Sequence, residues 1–204
     1  MIRRKEPGLV VKELPFNDRE TLELIRRGET SGVFQLESSG MREALRKINV
    51  NSFDDVIAAV AIFRPGSMDM IDLYADNKRG MESGTSDFKI TYPHAELEGI
   101  LSPTYGVIIY QEQVMRIANL LAGMSMAEAD TLRRAMSRKN PEVMAQMREK
   151  FTSGAVNRGV NKKTAKKVFD LIEKFAGYGF NKSHADCYAP LAYCTAWLKV
   201  HHPS

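Results

Sequence analysis

The sequence predicts a mainly α protein, a multi-helix fold with at most one or two short strands, and three observations carry that expectation. Apolar residues recur at three- and four-residue spacing along much of the 204-residue chain, as at Met41, Ala44, Leu45 and Ile48, or Val114, Ile117, Ala118 and Leu121. Capping residues stand at the starts of these runs, as at Asn17, Ser52, Asn161 and the Asn140-Pro141 pair, and stop signals such as Gly28 and Arg64-Pro65-Gly66 end them. Period-two alternation, by contrast, is short: Phe88, Ile90 and Tyr92 interleave with Lys89 and Thr91, as an edge strand would.

Taken in order, Asn17 caps a first helix that ends by Gly28, and a second runs from about Ser39 to Ile48. Ser52 opens a third, with Val56, Ala59, Val60 and Phe63 facing inward, which stops at Arg64 because the following proline disfavours helix. A short helix from Met68 to about Lys78 leads into a polar, glycine-containing loop, Gly80 to Ser86, the best candidate for a flexible joint. Val107-Ile108-Ile109-Tyr110 fits either a strand or a helix. Met144, Met147, Phe151 and Ala155 mark a long helix after Asn140. Val168, Leu171, Ile172 and Phe175 form the inner face of the next, with Lys163, Lys166, Lys167 and Lys174 on nearly the opposite side. The final helix, from Ser183 to about His201, is apolar on several sides and therefore expected to be buried, and Pro190 inside it predicts a kink.

Composition excludes several classes. Charged and apolar fractions of 26% and 44% are those of an ordinary globular protein, and no apolar run approaches the roughly 20 residues of a bilayer span. A cytoplasmic location is expected. Cys187 and Cys194 fall seven apart on one helix, about 10 Å along its axis, too far for a disulfide, and they lack zinc-site spacing. Buried, reduced thiols are expected.

The net charge is only +4, but it is unevenly spread. From Asp130 to His184 there are thirteen Lys and Arg side chains against five Asp and Glu, a surplus of eight, so the remainder of the chain carries −4. A concentration of cations on that scale attracts polyanions. At its end stands Phe175-Ala176-Gly177-Tyr178-Gly179-Phe180-Asn181-Lys182-Ser183-His184. Glycines allow close backbone approach to a phosphate, and the helix start that follows supplies unpaired N–H groups and a positive dipole end. The competing reading is a helix stop followed by a turn.

Five blocks in register carry a family resemblance: Thr30 to Ser38 (TSGVFQLES), Phe63-Arg64-Pro65-Gly66, Pro103 to Met115 (PTYGVIIYQEQVM), Leu132-Arg133-Arg134-Ala135-Met136, and Phe175 to His184. Together they resemble the alpha subunit of bacterial DNA polymerase III, the C-family replicative polymerase, over nearly the whole chain. The resemblance implies a fragment of the helical fingers domain, which contacts the incoming nucleotide and the template. The metal-binding aspartates of that family lie in a palm domain upstream. Three parts are expected: 1–80, an N-terminal helical part; 81–112, a loop and short-strand connector; and 113–204, a basic helical part carrying the nucleotide-facing blocks.

On that resemblance the triphosphate ligands are Arg133 and Arg134, extended by Arg138 and Lys139, together with Asn181, Lys182, Ser183 and His184. Guanidinium groups suit the task because they fork onto phosphate oxygens. Arg64, Tyr105, Gln111 and Gln113 lie in the same blocks and are secondary candidates, each equally open to a structural role. Lys163, Lys166, Lys167 and Lys174 are expected along the backbone of primer-template DNA. Asp69, Asp72 and Asp76 share helical spacing but read as a solvated face, and adjacent Ser183 and His184 point in different directions, so neither a metal site nor a covalent nucleophile is assigned. No cofactor is expected on this stretch; the parent polymerase implies Mg2+, dNTP, palm and thumb domains and other replisome subunits, and the stretch alone is expected to be inactive. Pro190 and Cys194 depart from the family pattern, which has an unbroken helix there with a polar residue at the second position. The alternative is a stand-alone helical module that binds nucleic acid or a partner through charge alone.

Overall fold

The computed structural model describes Val10 and residues 13–64, 68–85, 87–138, 140–176 and 179–203; side chains of Met68, Phe175 and Ala176 are not described. Among the described residues the protein is helical, with ten α-helices, and its β pairing is one isolated parallel bridge between Tyr110 and Phe180. The chain divides into two compact units, residues 1–75 with 183–204, and residues 76–182.

The first unit contains the helices Arg19–Arg26, Ser39–Ile48 and Phe53–Ile62, the first half of Met68–Glu82, and the Lys182–His201 helix from Ser183 onward. The expected cap at Asn17 falls one residue later: Asp18 accepts the Thr21 amide at 2.9 Å. Ser52 caps its helix in a reciprocal box with Asp55. Asp55 is buried, and its carboxylate also accepts from the Asn51 amide and the Tyr74 hydroxyl, so its burial is compensated. The last helix is continuous through Pro190 and packs by a stripe of Ala185, Ala189, Ala192 and Ala196. Beside that stripe, the buried Tyr193 ring meets Phe16 and Phe53 edge-on, and its hydroxyl accepts the Asp18 amide. The expectation of a helix buried on several sides, with buried thiols, is corrected: Leu191 is 55% exposed, Cys187 is exposed and Cys194 is half-buried.

The second unit departs from expectation at its start. The Met68–Glu82 helix continues past Lys78, so Gly80 lies inside it and the turn begins only at Ser83. A Cβ on Gly80 would sit 2.5 Å from the Phe88 ring. The glycine therefore makes room for an aromatic side chain, and Phe88–Tyr92 is irregular chain laid on a helix instead of an edge strand. The buried run Val107–Ile109 is not helical, and it ends in the Tyr110–Phe180 bridge, where Gln111 N–H donates to the Phe180 carbonyl and Phe180 N–H to that of Ile109, both at 2.9 Å.

Four helices then pack together: Gln111–Ala122, Met126–Arg138, Pro141–Asn157 and Lys162–Ala176. Asn140 accepts the Glu142 and Val143 amides, as a cap before proline should. Gly154 lets the third approach the first closely, since a Cβ there would lie 2.3 Å from the Ala122 carbonyl oxygen. In the fourth, Ala165, Val168, Phe169 and Ile172 are buried; Phe169, packed on Phe151, takes the place expected for Leu171, and Phe175 lies outside the described side chains.

Candidate functional site

The Met126–Arg138 helix carries the arginine pair. Arg133 and Arg134 follow Asp130 by three and four residues, so both reach back to the same carboxylate. Arg133 places Nε and Nη2 on Asp130 Oδ1, each at 2.8 Å, and Arg134 places Nη2 on Oδ2 at 2.5 Å. Hydrogen bonds from Arg133 and then Arg134 hold the Asp130 carboxyl below its ordinary value, so it is ionised at neutral pH.

The two arginines differ in what remains. The Arg133 side chain is 29% exposed, and its Nη1 donates to Gln111 Oε1 at 3.1 Å; Arg134 is 59% exposed. Arg134 and Arg138 line one groove of about 270 Å³ with Thr131, Asn140 and Val143.

The glycine segment reaches the same neighbourhood through its backbone. Gln111 Nε2 donates to the Gly179 carbonyl at 3.1 Å, while the Lys182 amide, first in its helix, donates to Glu112 Oε2 at 3.0 Å. The helix start thus faces a carboxylate of this chain, a favourable placement for an anion. The Lys182 ammonium stands 5.8 Å from the centre of the Tyr110 ring.

Comparison with known proteins decides the family. The model of the bacterial DNA polymerase III alpha subunit finger domain matches residues 1–159. The chain belongs to that finger-domain family. It is 53% identical over 197 residues to the DNA polymerase III subunit alpha of Halalkalibacterium halodurans, covering 97% of this chain and 17% of that protein. The subunits of Haemophilus influenzae and Escherichia coli K12 are 48% and 47% identical over 206 residues, covering 100% and 98% of this chain and 18% and 17% of theirs. The chain therefore spans about a sixth of the length of these relatives.

Within this polymerase finger domain, the remaining predicted residues separate. Lys139 lies outside the described residues, as do Pro65, Gly66, Gly177 and Tyr178. Asn181 is exposed at the end of the glycine segment. Ser183 and His184 fall in the other compact unit; Ser183 is inside the helix instead of capping it, and the His184 ring lies tilted against Tyr188, centroids 4.2 Å apart.

Among the secondary candidates, Arg64 Nη2 donates to the Ala61 carbonyl and so closes the end of its own helix, with burial pushing its guanidinium below the ordinary value. Tyr105 is a left-handed turn residue whose carbonyl accepts from Asn77. Gln113 is buried, accepting the Ile109 and Tyr110 amides and donating to Ile100 and Thr104. These three residues hold the chain in shape.

The lysines behave as a surface. Lys162, Lys163, Lys166 and Lys167 are exposed, as is Lys174, whereas Asp170 and Glu173 on the same helix clamp Arg148. No trio of His, Cys, Asp or Glu among the described residues is arranged for a metal ion. Asp72 pairs with Lys47 and Asp76 with Arg79, both at the surface. No helix among the described residues is long and apolar enough to cross a membrane.

Sequence reasoning overlooked Asp130 and Glu112 and gave Gln111 no distinct part. The signal for Asp130 was present, as an acid three and four residues before a pair of arginines. The pairing of Gln111 with Gly179 spans 68 residues and had no local signature.

Proposed function

We propose that residues 76–182 form the part of a bacterial replicative DNA polymerase that grips the triphosphate of the incoming deoxynucleotide. The observation that carries this reading is the groove of about 270 Å³ lined by Arg134 and Arg138, one helical turn apart, beside an arginine held by Asp130 and Gln111. Arg134 and Arg138 are the phosphate ligands; Asn181 and Lys182 face the same ligand from the glycine segment.

Primer-template DNA runs along the lysine face of the Lys162–Ala176 helix, which meets phosphates as a row of point charges. In the parent polymerase the chemistry is magnesium-dependent nucleotidyl transfer, with the metal ions held by palm carboxylates outside this stretch. Palm and thumb domains and other replisome subunits are its neighbours, and this stretch alone extends no primer.

Equilibrium titration with a dNTP tests the reading. Arg134→Ala and Arg138→Ala should each weaken binding about tenfold or more, since a charged hydrogen bond contributes roughly 1.5–3 kcal/mol. Binding that responds to total positive charge, with equal losses on removing any lysine, would replace it with generic polyanion attraction.

A further inference from the structure

The Gln111 side chain is held at both ends. Its oxygen accepts from Arg133 Nη1 and its NH2 donates to the Gly179 carbonyl, each at 3.1 Å. Chemistry fixes this orientation. A guanidinium has only donors and a carbonyl only an acceptor, so turning the amide over would break both bonds.

Arg133 is in turn fixed from two sides. Nε and Nη2 rest on Asp130, whose second oxygen takes Arg134, and Nη1 rests on Gln111. A continuous chain of hydrogen bonds therefore runs from the Gly179 carbonyl through Gln111, Arg133 and Asp130 to Arg134. It joins two segments of unit 76–182 that lie more than forty residues apart in sequence, Asp130–Arg134 and Gly179–Lys182.

We propose that Gln111 is a positioning residue of the triphosphate site, coupling the orientation of Arg133, and through Asp130 that of Arg134, to the backbone of the glycine segment. Arg133 belongs to this frame, and Arg134 is the member of the pair that meets phosphate. The inference rests on the proposed function. It adds a division of labour between neighbouring arginines and a route by which ligand contact at one segment is felt at the other. Because the Gln111 main chain is pinned separately by its amide on the Phe180 carbonyl, substitutions of the side chain leave that bridge in place.

The test titrates dATP and inorganic tripolyphosphate into the chain and into Gln111→Met, Arg133→Ala and the double variant. Gln111→Met should weaken both ligands about three- to tenfold when Arg133 is present, and should cost nothing further in the Arg133→Ala background, because it acts through that arginine. Losses that multiply independently would overturn the inference.

Gln111→Glu supplies a second reading that does not depend on the fold of Arg133→Ala. It keeps an acceptor for Arg133 and removes the donor to Gly179. Amide exchange at Gly179 and Phe180 should slow on adding dATP to the parent chain and no longer slow in Gln111→Glu; unchanged slowing would overturn the coupling. Failure of the parent chain to bind either ligand would remove the proposed function itself, whereas parent binding with independent losses removes only this inference.

Discussion

Two helices of one unit carry dense positive charge and use it differently. On Met126–Arg138 the cations are organised: Arg133 and Arg134 share Asp130, and Arg133 also rests on Gln111. On Lys162–Ala176 the lysines at 162, 163, 166 and 167 extend from an exposed face whose acids, Asp170 and Glu173, are turned to Arg148. Organised guanidiniums lose little freedom when a ligand arrives and can read its geometry, while flexible ammonium groups read mainly its charge. On the proposed function, the contrast separates a site for a particular phosphate group from a track for any phosphate backbone.

The sharpest way to break that contrast is to remove both exposed arginines. Arg134→Ala with Arg138→Ala should lower triphosphate affinity about a hundredfold by calorimetry, with charged hydrogen bonds at roughly 1.5–3 kcal/mol each, while Lys163→Ala with Lys167→Ala should change it less than about twofold.

Close packing beneath both helices comes next. Gly154→Ala forces a methyl group onto the Ala122 carbonyl and should cost about 1–3 kcal/mol in denaturant unfolding; an unchanged midpoint would show that the close approach is not needed.

The lysine track is read by salt. Each phosphate contact contributes about −0.9 to the log–log slope of duplex affinity, so removing two lysines that touch phosphate should flatten it by about 1.8 and leave the triphosphate titration unaltered.

The smallest effect is that of acid. A hydrogen bond from Lys150, with further ones from Ser125, holds the exposed Glu128 carboxyl down to about 2, tying Met126–Arg138 to Pro141–Asn157. Because this value lies below that of the unfolded chain, the pair's contribution is present in full above about pH 4 to 5 and is lost as pH falls towards 2. Glu128→Gln should therefore lower thermal stability slightly near neutrality, flatten its fall over that acid range, and match the parent chain near pH 2.

How far the sequence spoke depended on the distance over which the information acts. Ser52 with Asp55, Asn140 before Pro141, and the Ser39–Ile48 stripe are local signals, and each appears where spacing placed it. Gly80 misled because glycine ordinarily punctuates; here it sits within a helix to admit the Phe88 ring, a contact no window of sequence contains. Phe88, Ile90 and Tyr92 alternate like a strand but, among the described residues, meet no strand to pair with. The five family blocks led to the arginine helix, yet they could not separate Gln113, whose amide is spent inside the fold, from Gln111 two residues earlier, which links Gly179 and Arg133. Burial distinguishes them, and burial is a tertiary property.

Guanidinium NMR tests the central claim most directly. With arginine side chains labelled with 15N, the Nε–H resonances of Arg134 and Arg138 should move together and saturate as dATP is added, at concentrations where the lysine ammonium groups of the Lys162–Ala176 helix are unaffected. Saturable binding that leaves Arg134 and Arg138 unmoved while the lysine resonances shift would contradict it.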